Sequence, residues 1–474
     1  MKHTALATMV LPVLATLACG SSPSGADAPG RDAGTADAIV ADGAHDAQVH
    51  DATPIEAAAD GGTLDHGSPS GTYPAFTPDV GQITYNGGHV MKHPVIVAIT
   101  WDGDPSQAIF DAYADAIGGT AYWSATTLEY GVSAATSGAS NHAHISTTAP
   151  ASLQDSDLQG LVKNNAGITA GWPAATEDTI YAFFLPPGLS LLEPSFTTGQ
   201  LQDSCAQHLG GYHDQLTVGS VTSSYAVVPS CNFGKGNTPE QWTTQSMSHE
   251  LIEAVTDPQP QGAQSGYTGF DADHFAWDYF QELQSEVGDA CEFYRASFFE
   301  DKETTPAPFD AWVQRTWSNE AIKAAHDPCV PAASSAPYFS VTPLALETVS
   351  YSVPATLTGL PSATMGKTRG ILAPSGKSAT FAVGFYSDGP TGGPWTISVT
   401  AGNPAISASA SFISFYNPSK LTASVDRTTG QNGEKAYVTV NVTESGSGFG
   451  GEIVTITSTL GGVSHYTPVW IAAK

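Results

Sequence analysis

An uninterrupted run of mostly β-branched and aromatic residues, Val95–Trp101, restricts the folds open to this chain more than any other segment. Pro94 precedes it and Asp102-Gly103 follows it, which is typical of a strand buried on both faces. The sequence predicts further strands at Ile180–Leu185 and Tyr225–Pro229, and helical stretches at 106–117 and 155–164. Strands that alternate with helices predict an α/β or α+β domain over residues 73–332.

Residues 333–474 follow another pattern, in which polar and apolar residues alternate between turn residues. The clearest segments are 378–385, 395–399, 436–442 and 452–457. This alternation predicts antiparallel strands and an all-β, immunoglobulin-like sandwich without a disulfide. No catalytic cluster occurs there, so we expect a role in spacing, substrate attachment or adhesion.

The first 18 residues predict export. Lys2 and His3 precede an apolar run that is too short to span a bilayer, as in a signal peptide. Leu17-Ala18-Cys19-Gly20 resembles a bacterial lipobox, which implies cleavage before Cys19 and lipidation of that cysteine. Gly20 after the cysteine favours the outer membrane and leaves open which face. The alternative is an ordinary signal peptide with an incidental cysteine.

We predict that residues 19–72 comprise the lipidated Cys19 and a disordered tether. The segment is rich in Ala, Asp, Gly and Ser, and it lacks the apolar side chains needed to offset its ordering entropy. The whole chain has 16 Lys and Arg against 45 Asp and Glu, a formal net charge of −29. This charge argues against nucleic acid or an anionic membrane surface as a partner, so the lipid anchor is the only membrane contact that we expect.

Five cysteines leave one unpaired unless Cys19 is lipidated. The remaining four then pair evenly, and neighbourhood in the chain favours Cys205 with Cys231 and Cys291 with Cys329. Four cysteines allow three connectivities. Disulfides require an oxidising compartment, which agrees with export.

A second segment, 238–258, predicts one long helix with its own start and stop signals. Thr238 and Gln241 form a capping box around Pro239 at the first helical position. Pro258 should end the helix at Asp257, which we interpret as a terminator rather than a ligand.

The helix contains His249-Glu250-Leu251-Ile252-Glu253, which differs from the His-Glu-x-x-His pattern of zinc peptidases only in having Glu253 at the position of the second histidine. Residues i and i+4 lie one turn apart on the same face, so His249 and Glu253 can reach one metal ion while Glu250 acts on a metal-bound water. Met247, Leu251, Ala254 and Val255 form the opposite, apolar face.

Other residues could complete this site. Glu286 or Asp289 could supply the third ligand, although both could instead only cap the turn at Gly288. Tyr212, His213 or His274 could stabilise an oxyanion, and we favour His213. His213 could also be an ordinary half-buried histidine. His142 and His144 alternate like strand neighbours, but without a third partner we interpret them as solvated.

Several separate motifs resemble the EXORDIUM, or phosphate-induced, protein family, in its bacterial relatives. They are Ile83–Met91, Phe184–Gly188, Gly211–Asp214, Ser248–Pro258, Glu286–Cys291 and Val313–Asn319. The resemblance covers about residues 80–330, and it implies an exported protein without a settled activity. Within it the His-Glu-x-x-Glu helix is similar to a degenerate zincin helix, which implies a zincin-like fold.

The sequence therefore supports two hypotheses. The first is a metal-dependent hydrolase, expected to be a zinc peptidase, with His249, Glu253 and Glu286 or Asp289 as ligands. Its oxygen ligands also suit Ca²⁺ or Mn²⁺. The second is a non-catalytic surface module that binds a peptide, a cell-wall glycan or a partner protein, with a structural metal or none. The oligomeric state stays open.

Overall fold

The computed structural model describes residues 64–473, apart from 195–198, 235, 282, 284, 295, 305–307, 334, 354–363, 406–419 and 444–449. The predicted signal peptide, the lipidation site Cys19 and tether residues 19–63 lie outside the described residues. Within the described part, none of the helices has both the length and the apolar character needed to cross a bilayer.

The described chain is rich in strands, with 24 strands and seven α-helices. The helices are α1 (Gln107–Ile117), α2 (Ala121–Thr127), α3 (Asp155–Asn165), α4 (Pro239–Thr256), α5 (Phe275–Phe280), α6 (Asp289–Glu292) and α7 (Asn319–Lys323). The strands up to residue 330 are β1 (Ile83–Tyr85), β2 (Val95–Trp101), β3 (His142–Ile145), β4 (Ser152–Gln154), β5 (Thr179–Phe184), β6 (Ser190–Pro194), β7 (Leu201–Asp203), β8 (Tyr212–Val218), β9 (Val221–Val228), β10 (Tyr267–Phe270), β11 (Phe298–Glu303), β12 (Phe309–Gln314), β13 (Thr316–Trp317) and β14 (Cys329–Val330). The later strands are β15 (Phe339–Pro343), β16 (Glu347–Val353), β17 (Thr364–Ala373), β18 (Ser378–Ser387), β19 (Trp395–Ala401), β20 (Leu421–Val425), β21 (Thr429–Gly430), β22 (Lys435–Val442), β23 (Glu452–Leu460) and β24 (Val463–Ala473).

A five-stranded sheet in the order β3-β2-β5-β9-β8 organises the first domain. Its first four strands are parallel, and β8 returns antiparallel beside β9 as an edge strand. Side chains of β2 alternate between two cores: Ile96 and Ala98 pack with α1 and α4, whereas Val97 and Ile99 pack with α3. Burial on both faces is the reason for the continuous apolar run, and the three predicted strands of this domain are confirmed.

Helix α4 begins and ends where its signals predict. Thr238 Oγ1 accepts from the Gln241 N–H at 3.3 Å, and Gln241 Oε1 accepts from the Thr238 N–H at 2.8 Å. Asp257 forms the C-terminal cap, and its N–H donates to the Glu253 carbonyl at 2.7 Å. The apolar face packs against β5, β9 and β12 in the main core. The polar face is also covered, since Glu253 is 2% exposed and Thr256 is fully buried.

The C-terminal part is all β, as predicted, and forms two sheets that share one core. Their strand orders are β15-β18-β22-β20 and β16-β17-β24-β23-β19-β21. Phe385 of the first sheet and Trp395 of the second pack against each other in this core, with ring centroids 5.4 Å apart and the rings tilted by 56°. The four segments predicted from alternation correspond to β18, β19, β22 and β23.

Helix α5 joins the two domains. The Phe275 ring stacks on Tyr351 at a centroid distance of 3.7 Å and meets Trp470 edge-on at 5.1 Å. The Phe275 N–H donates to Thr368 Oγ1 at 3.1 Å, and Asn403 Nδ2 donates to the Phe280 carbonyl at 2.8 Å. The first domain thus inserts an aromatic helix into an apolar cluster of the sandwich.

Residues 64–72 correct the predicted tether boundary. The Ser70 N–H donates to the Asn432 carbonyl at 2.7 Å, and the Tyr437 hydroxyl donates to the Asp65 carbonyl at 2.9 Å. These backbone contacts hold the segment on the sandwich, so assigning it to a free tether is wrong. Composition missed this because the partners of the segment lie more than 350 residues later in the chain.

Both expected disulfides form. Cys205 pairs with Cys231 and Cys291 with Cys329. The first connects the loops on either side of the β8–β9 hairpin, and the second connects α6 to β14. Each cross-link restricts the unfolded chain and contributes about 2–4 kcal/mol to stability.

We expect His274 to make stability pH-dependent. Its Nδ1 lies 2.6 Å from Asp271 Oδ1, and its Nε2 lies 3.3 Å from Asp79 Oδ1, which also pairs with Arg369 of the sandwich. Burial lowers the pKa of His274, but the hydrogen bonds to the two carboxylates outweigh it and raise the pKa to about 9. The protonated ring therefore stabilises the fold fully below the unfolded pKa of about 6.5, and this contribution, about 3 kcal/mol, is lost as pH rises through 9.

Thermal unfolding in EDTA between pH 6 and 10 tests this expectation. The His274→Gln variant should be less stable than wild type at pH 6 and nearly equal to it at pH 10. The control is His326→Gln, which removes a histidine whose side chain is 60% exposed in its pair with Asp388. A His274→Gln curve parallel to wild type over the whole range would contradict the assignment.

Candidate metal centre

Helix α4 places the His249, Glu250 and Glu253 side chains of the His-Glu-x-x-Glu motif together. His249 Nε2 lies 3.0 Å from Glu253 Oε2, as expected for side chains one turn apart on one face. Glu250 lies beside them, and single ligand atoms of His249, Glu250 and Glu253 fall within 4.8 Å of one another. The side chains of the predicted pair, His249 and Glu253, therefore meet as expected.

The loop before α6 supplies further carboxylates. Glu253 Oε1 accepts the Gly288 and Asp289 N–H groups, both at 3.1 Å, which leaves Oε2 to face the histidines. Asp289 Oδ1 lies 3.5 Å from His249 Nε2. Asp289 also accepts the Glu286 N–H at 3.3 Å, so it caps the turn and faces the site at the same time.

The edge strand β8 contributes His213, which lies among three carboxylates. Its Nδ1 is 3.5 Å from Glu250 Oε2 and 3.6 Å from Glu253 Oε2, and its Nε2 is 3.8 Å from Glu286 Oε1. Only 4% of the His213 side chain is exposed. His213 is thus part of the cluster itself.

Two glycines make this crowding possible. A Cβ at Gly288 would lie 2.8 Å from both Glu253 Oε1 and His249 Nδ1, and a Cβ at Gly211 would lie 2.9 Å from Glu250 Oε1. Contacts under 3.0 Å force a displacement. The loop and the edge strand can therefore approach the α4 carboxylates only because neither glycine carries a side chain.

A second set of residues fixes the acid loop, residues 286–289, relative to α4. Gln314 Nε2 donates to the Gly288 carbonyl at 2.8 Å, and the Gln314 N–H donates to Ser248 Oγ at 2.9 Å. The Trp317 N–H donates to the Val287 carbonyl at 2.9 Å. Cys291 anchors the following helix through its disulfide.

Both histidines are biased towards the charged form. Burial lowers the pKa of His249, but the charge of Glu253 and the hydrogen bond with it raise that pKa well above its usual range. Burial likewise lowers the pKa of His213, and the surrounding Glu286, Glu250 and Glu253 reverse this and raise it well above the usual value.

The carboxylates differ among themselves. Burial would raise the pKa of Glu253, but the charge of His249 and the hydrogen bonds from both histidines hold it below its usual range. Burial raises the pKa of Glu286 and of Asp289, and the neighbouring Glu253 adds to both shifts. Among the described residues, no Lys or Arg pairs with these acids; their ion-pair partners are His213 and His249.

This donor set suits a divalent cation. Two groups of ligand atoms each fit within 4.8 Å, namely His249 with Glu250 and Glu253, and His213 with Glu253 and Glu286. Imidazole and carboxylate ligands are compatible with Zn²⁺, and the oxygen-rich surroundings also accommodate Ca²⁺ or Mn²⁺. Glu253 belongs to both groups.

Two of the sequence-predicted candidates lie elsewhere. The Tyr212 hydroxyl donates to Asp155 at 2.8 Å, and His274 lies against the sandwich between Asp271 and Asp79. Neither is an oxyanion stabiliser at this cluster. Tyr212 is on the same strand as His213, but adjacent strand residues point to opposite faces. Asp257 caps α4 as expected, with Oδ1 accepting the Gly266 N–H at 2.8 Å.

We expect Gly288→Ala to disrupt the cluster. Gly288 has φ −75°, which alanine adopts freely, so the cost comes from the two contacts at 2.8 Å and should destabilise the domain by about 1–3 kcal/mol. Gly160→Ala in α3 is the matched control, since no atom outside its chain neighbours and the backbone of its own helix lies within 4 Å of its Cβ position. Urea unfolding measures both variants, and equal effects would show that the loop moves away freely.

Comparison with known proteins assigns no family. The chain matches no family model and no curated protein. Among solved structures it is similar to a chimeric titin Z1Z2-Z1Z2 tandem functionalized with a GRGDS exogenous peptide from fibronectin, with 10% identity and a TM-score of 0.13. That match covers 24% of this chain and 59% of the titin chain, and at this TM-score it carries no argument about the fold.

Proposed function

We propose that residues 73–332 form a zinc-dependent hydrolase, acting on peptides, in an exported lipoprotein. The observation that supports it best is the position of Glu253, whose Oε1 is bound by two backbone N–H groups while Oε2 faces His249 and His213. A carboxylate held in this way presents one oxygen to a cation. A zincin-like fold and the EXORDIUM-like relationship belong to the same proposal.

In this proposal His249, Glu253 and Asp289 hold the ion. His249 Nε2 lies 3.0 Å from Glu253 Oε2 and 3.5 Å from Asp289 Oδ1, separations close to the roughly 3.4 Å expected between ligands around a tetrahedral zinc with bonds near 2.1 Å. When bound, zinc would polarise a substrate carbonyl and lower the pKa of a water molecule. Glu286 is the alternative third ligand.

Glu250 and His213 would act on the substrate and the water. Glu250 is on the same helix next to the proposed ligands, and its Oε2 lies 3.5 Å from His213 Nδ1. A carboxylate in this position can accept a proton from the attacking water. The surrounding carboxylates raise the pKa of His213 well above its usual value, and a protonated ring in this position would stabilise negative charge on a peptide carbonyl oxygen.

The chain would reach its substrate from a lipid anchor. Cleavage before Cys19 and lipidation would attach it to the cell envelope, at the outer membrane, on a face that the sequence leaves open. An immunoglobulin-like assignment of the sandwich and a role in substrate attachment extend this proposal. The strand-rich, disulfide-linked architecture is compatible with an exported protein.

Metal content tests the ligand assignment. The purified protein, stripped with EDTA and reloaded with zinc, should lose one equivalent in His249→Ala and retain it in His213→Ala. The reverse result would place the ion in the group of His213, Glu253 and Glu286. Retention of that equivalent in both variants and in Glu253→Gln would overturn the metal site altogether.

Activity tests the role of Glu250. Glu250→Gln should keep the zinc equivalent but lower kcat on a mixed peptide library by about 100-fold or more, because the amide cannot accept the proton of the water. Glu240→Gln, a change at the first turn of the same helix, is the control. Equal hydrolysis by wild type and Glu250→Gln would remove the catalytic proposal while leaving the metal site intact.

A structural metal in a non-catalytic binding module is the second candidate. Burial favours it, since only 3% of the Glu253 side chain and 4% of the His213 side chain are exposed. Structural zinc sites have four protein ligands, whereas catalytic sites keep one position for water. This candidate predicts that zinc raises the melting temperature equally in wild type and in Glu250→Gln, and that neither cleaves peptides.

A further inference from the structure

We propose that the first domain carries a second site for a divalent transition-metal ion, formed on its surface by Asp111 of α1 and by His142 and His144 of β3. Ligand atoms of these three residues lie within 4.8 Å of one another. The sequence alone places the two histidines on one strand face but offers no partner for them. Helix α1 supplies the missing carboxylates.

The distances fit a coordination shell around one point. Asp111 Oδ2 lies 3.0 Å from His144 Nε2 and 3.8 Å from His142 Nδ1. Ligands about 2.1 Å from a tetrahedral ion are separated by roughly 3.4 Å, so small side-chain movements bring all three atoms to bonding distance. The two imidazole rings lie nearly parallel, with centroids 6.2 Å apart and an interplanar angle of 23°.

A fourth residue orients one ligand. His142 Nε2 lies 2.8 Å from Asp115 Oδ1, which is one turn after Asp111 on α1. Histidines that bind metal through one ring nitrogen typically donate from the other nitrogen to a carboxylate. Asp115 thus fixes the tautomer that leaves His142 Nδ1 free to bind the ion, and it acts as a positioning residue.

The carboxylate of Asp111 can still bind a cation. Its Oδ1 is buried and has no hydrogen-bond partner among the described residues, while Oδ2 faces both histidines. An unpaired buried carboxylate oxygen is costly, and a cation beside the same carboxylate offsets that cost. The donor set of two imidazoles and one carboxylate suits zinc, with the remaining position open to water because 39% of the His144 side chain is exposed.

Such an ion would connect two elements that otherwise meet weakly. β3 is an edge strand, paired with β2 over only four residues, and α1 packs across the same sheet. A metal shared by α1 and β3 would stabilise the free edge of the sheet. Its ligands come from elements other than α4, β8 and the acid loop, so the site is independent of the proposed catalytic ion.

Zinc titration of the full chain in the His249→Ala background isolates this site. Calorimetry should give one fewer equivalent of zinc after His144→Ala, and the zinc-dependent rise in melting temperature should shrink. The exposed His93, which contacts Ser133, is the matched control, and His93→Ala should change neither quantity. Histidines of residues 19–63 are present in every variant, so they cancel in the comparison.

The Asp115→Asn variant tests whether Asp115 positions His142 for metal binding. It should keep the equivalent but weaken zinc affinity by about 10–100-fold, because the ring of His142 is no longer oriented by a carboxylate. Melting temperatures without zinc establish that each variant folds. Equal zinc stoichiometry in His144→Ala, His142→Ala and His93→Ala would overturn the proposal, whatever the outcome at the α4 site.

Discussion

The orientation of the Glu253 carboxylate is the constraint on which the rest of the candidate centre depends. A charged carboxylate that is almost fully buried costs several kcal/mol unless hydrogen bonds and opposite charges compensate for it. Here the two oxygens have separate partners, backbone N–H groups for one and imidazoles for the other. Hydrogen bonds from the loop to Glu253 require the acid loop to lie directly on α4. This close approach is the reason why position 288 must be glycine, and the hydrogen bond from Gln314 to the Gly288 carbonyl holds the loop in place.

The fold supplies these partners from three distant parts of the chain. Helix α4 lies on the sheet with its apolar face in the main core, so its polar face turns towards the edge strand β8 and the loop after α5. Each disulfide fixes one of these neighbours: Cys205–Cys231 spans the base of the hairpin that carries His213, and Cys291–Cys329 anchors the helix that begins at Asp289. The cross-links thus restrict the segments that carry the site.

The parts of the structure that local chemistry determines were predictable from the sequence. The caps of α4, the doubly buried strand β2 and the alternating strands of the sandwich follow from adjacent residues, and neighbourhood in the chain favoured the disulfide pairing that forms among three possible ones. Tertiary placement was not predictable in the same way. Residues 64–72 could not be recognised as part of the sandwich, because the segment has no pattern of its own and its partners, Asn432 and Tyr437, lie far along the chain.

For the candidate sites, too, local spacing was predictable from the sequence and tertiary placement was not. Spacing on one helix identified His249 and Glu253, but their proximity to His213 depends on the β8–β9 hairpin, which no local signal places beside α4. His274 illustrates the opposite error, because it binds Asp271 and Asp79, and Asp79 in turn pairs with Arg369 of the sandwich. A histidine near a motif in sequence is therefore weak support for a site, whereas a histidine and a carboxylate at fixed spacing on one helix carry much more.

The two histidine–carboxylate clusters differ in how far they are buried. At the α4 cluster, burial raises the pKa of Glu286 and Asp289 while the acids raise the pKa of both histidines, so the cluster retains protons where the unfolded chain would release them. Metal ligands must be deprotonated, so metal binding there must displace protons. At the α1–β3 cluster 39% of the His144 side chain is exposed, so water reaches that cluster directly. The buried cluster therefore has more to gain from a bound ion, but it can bind that ion only in competition with protons.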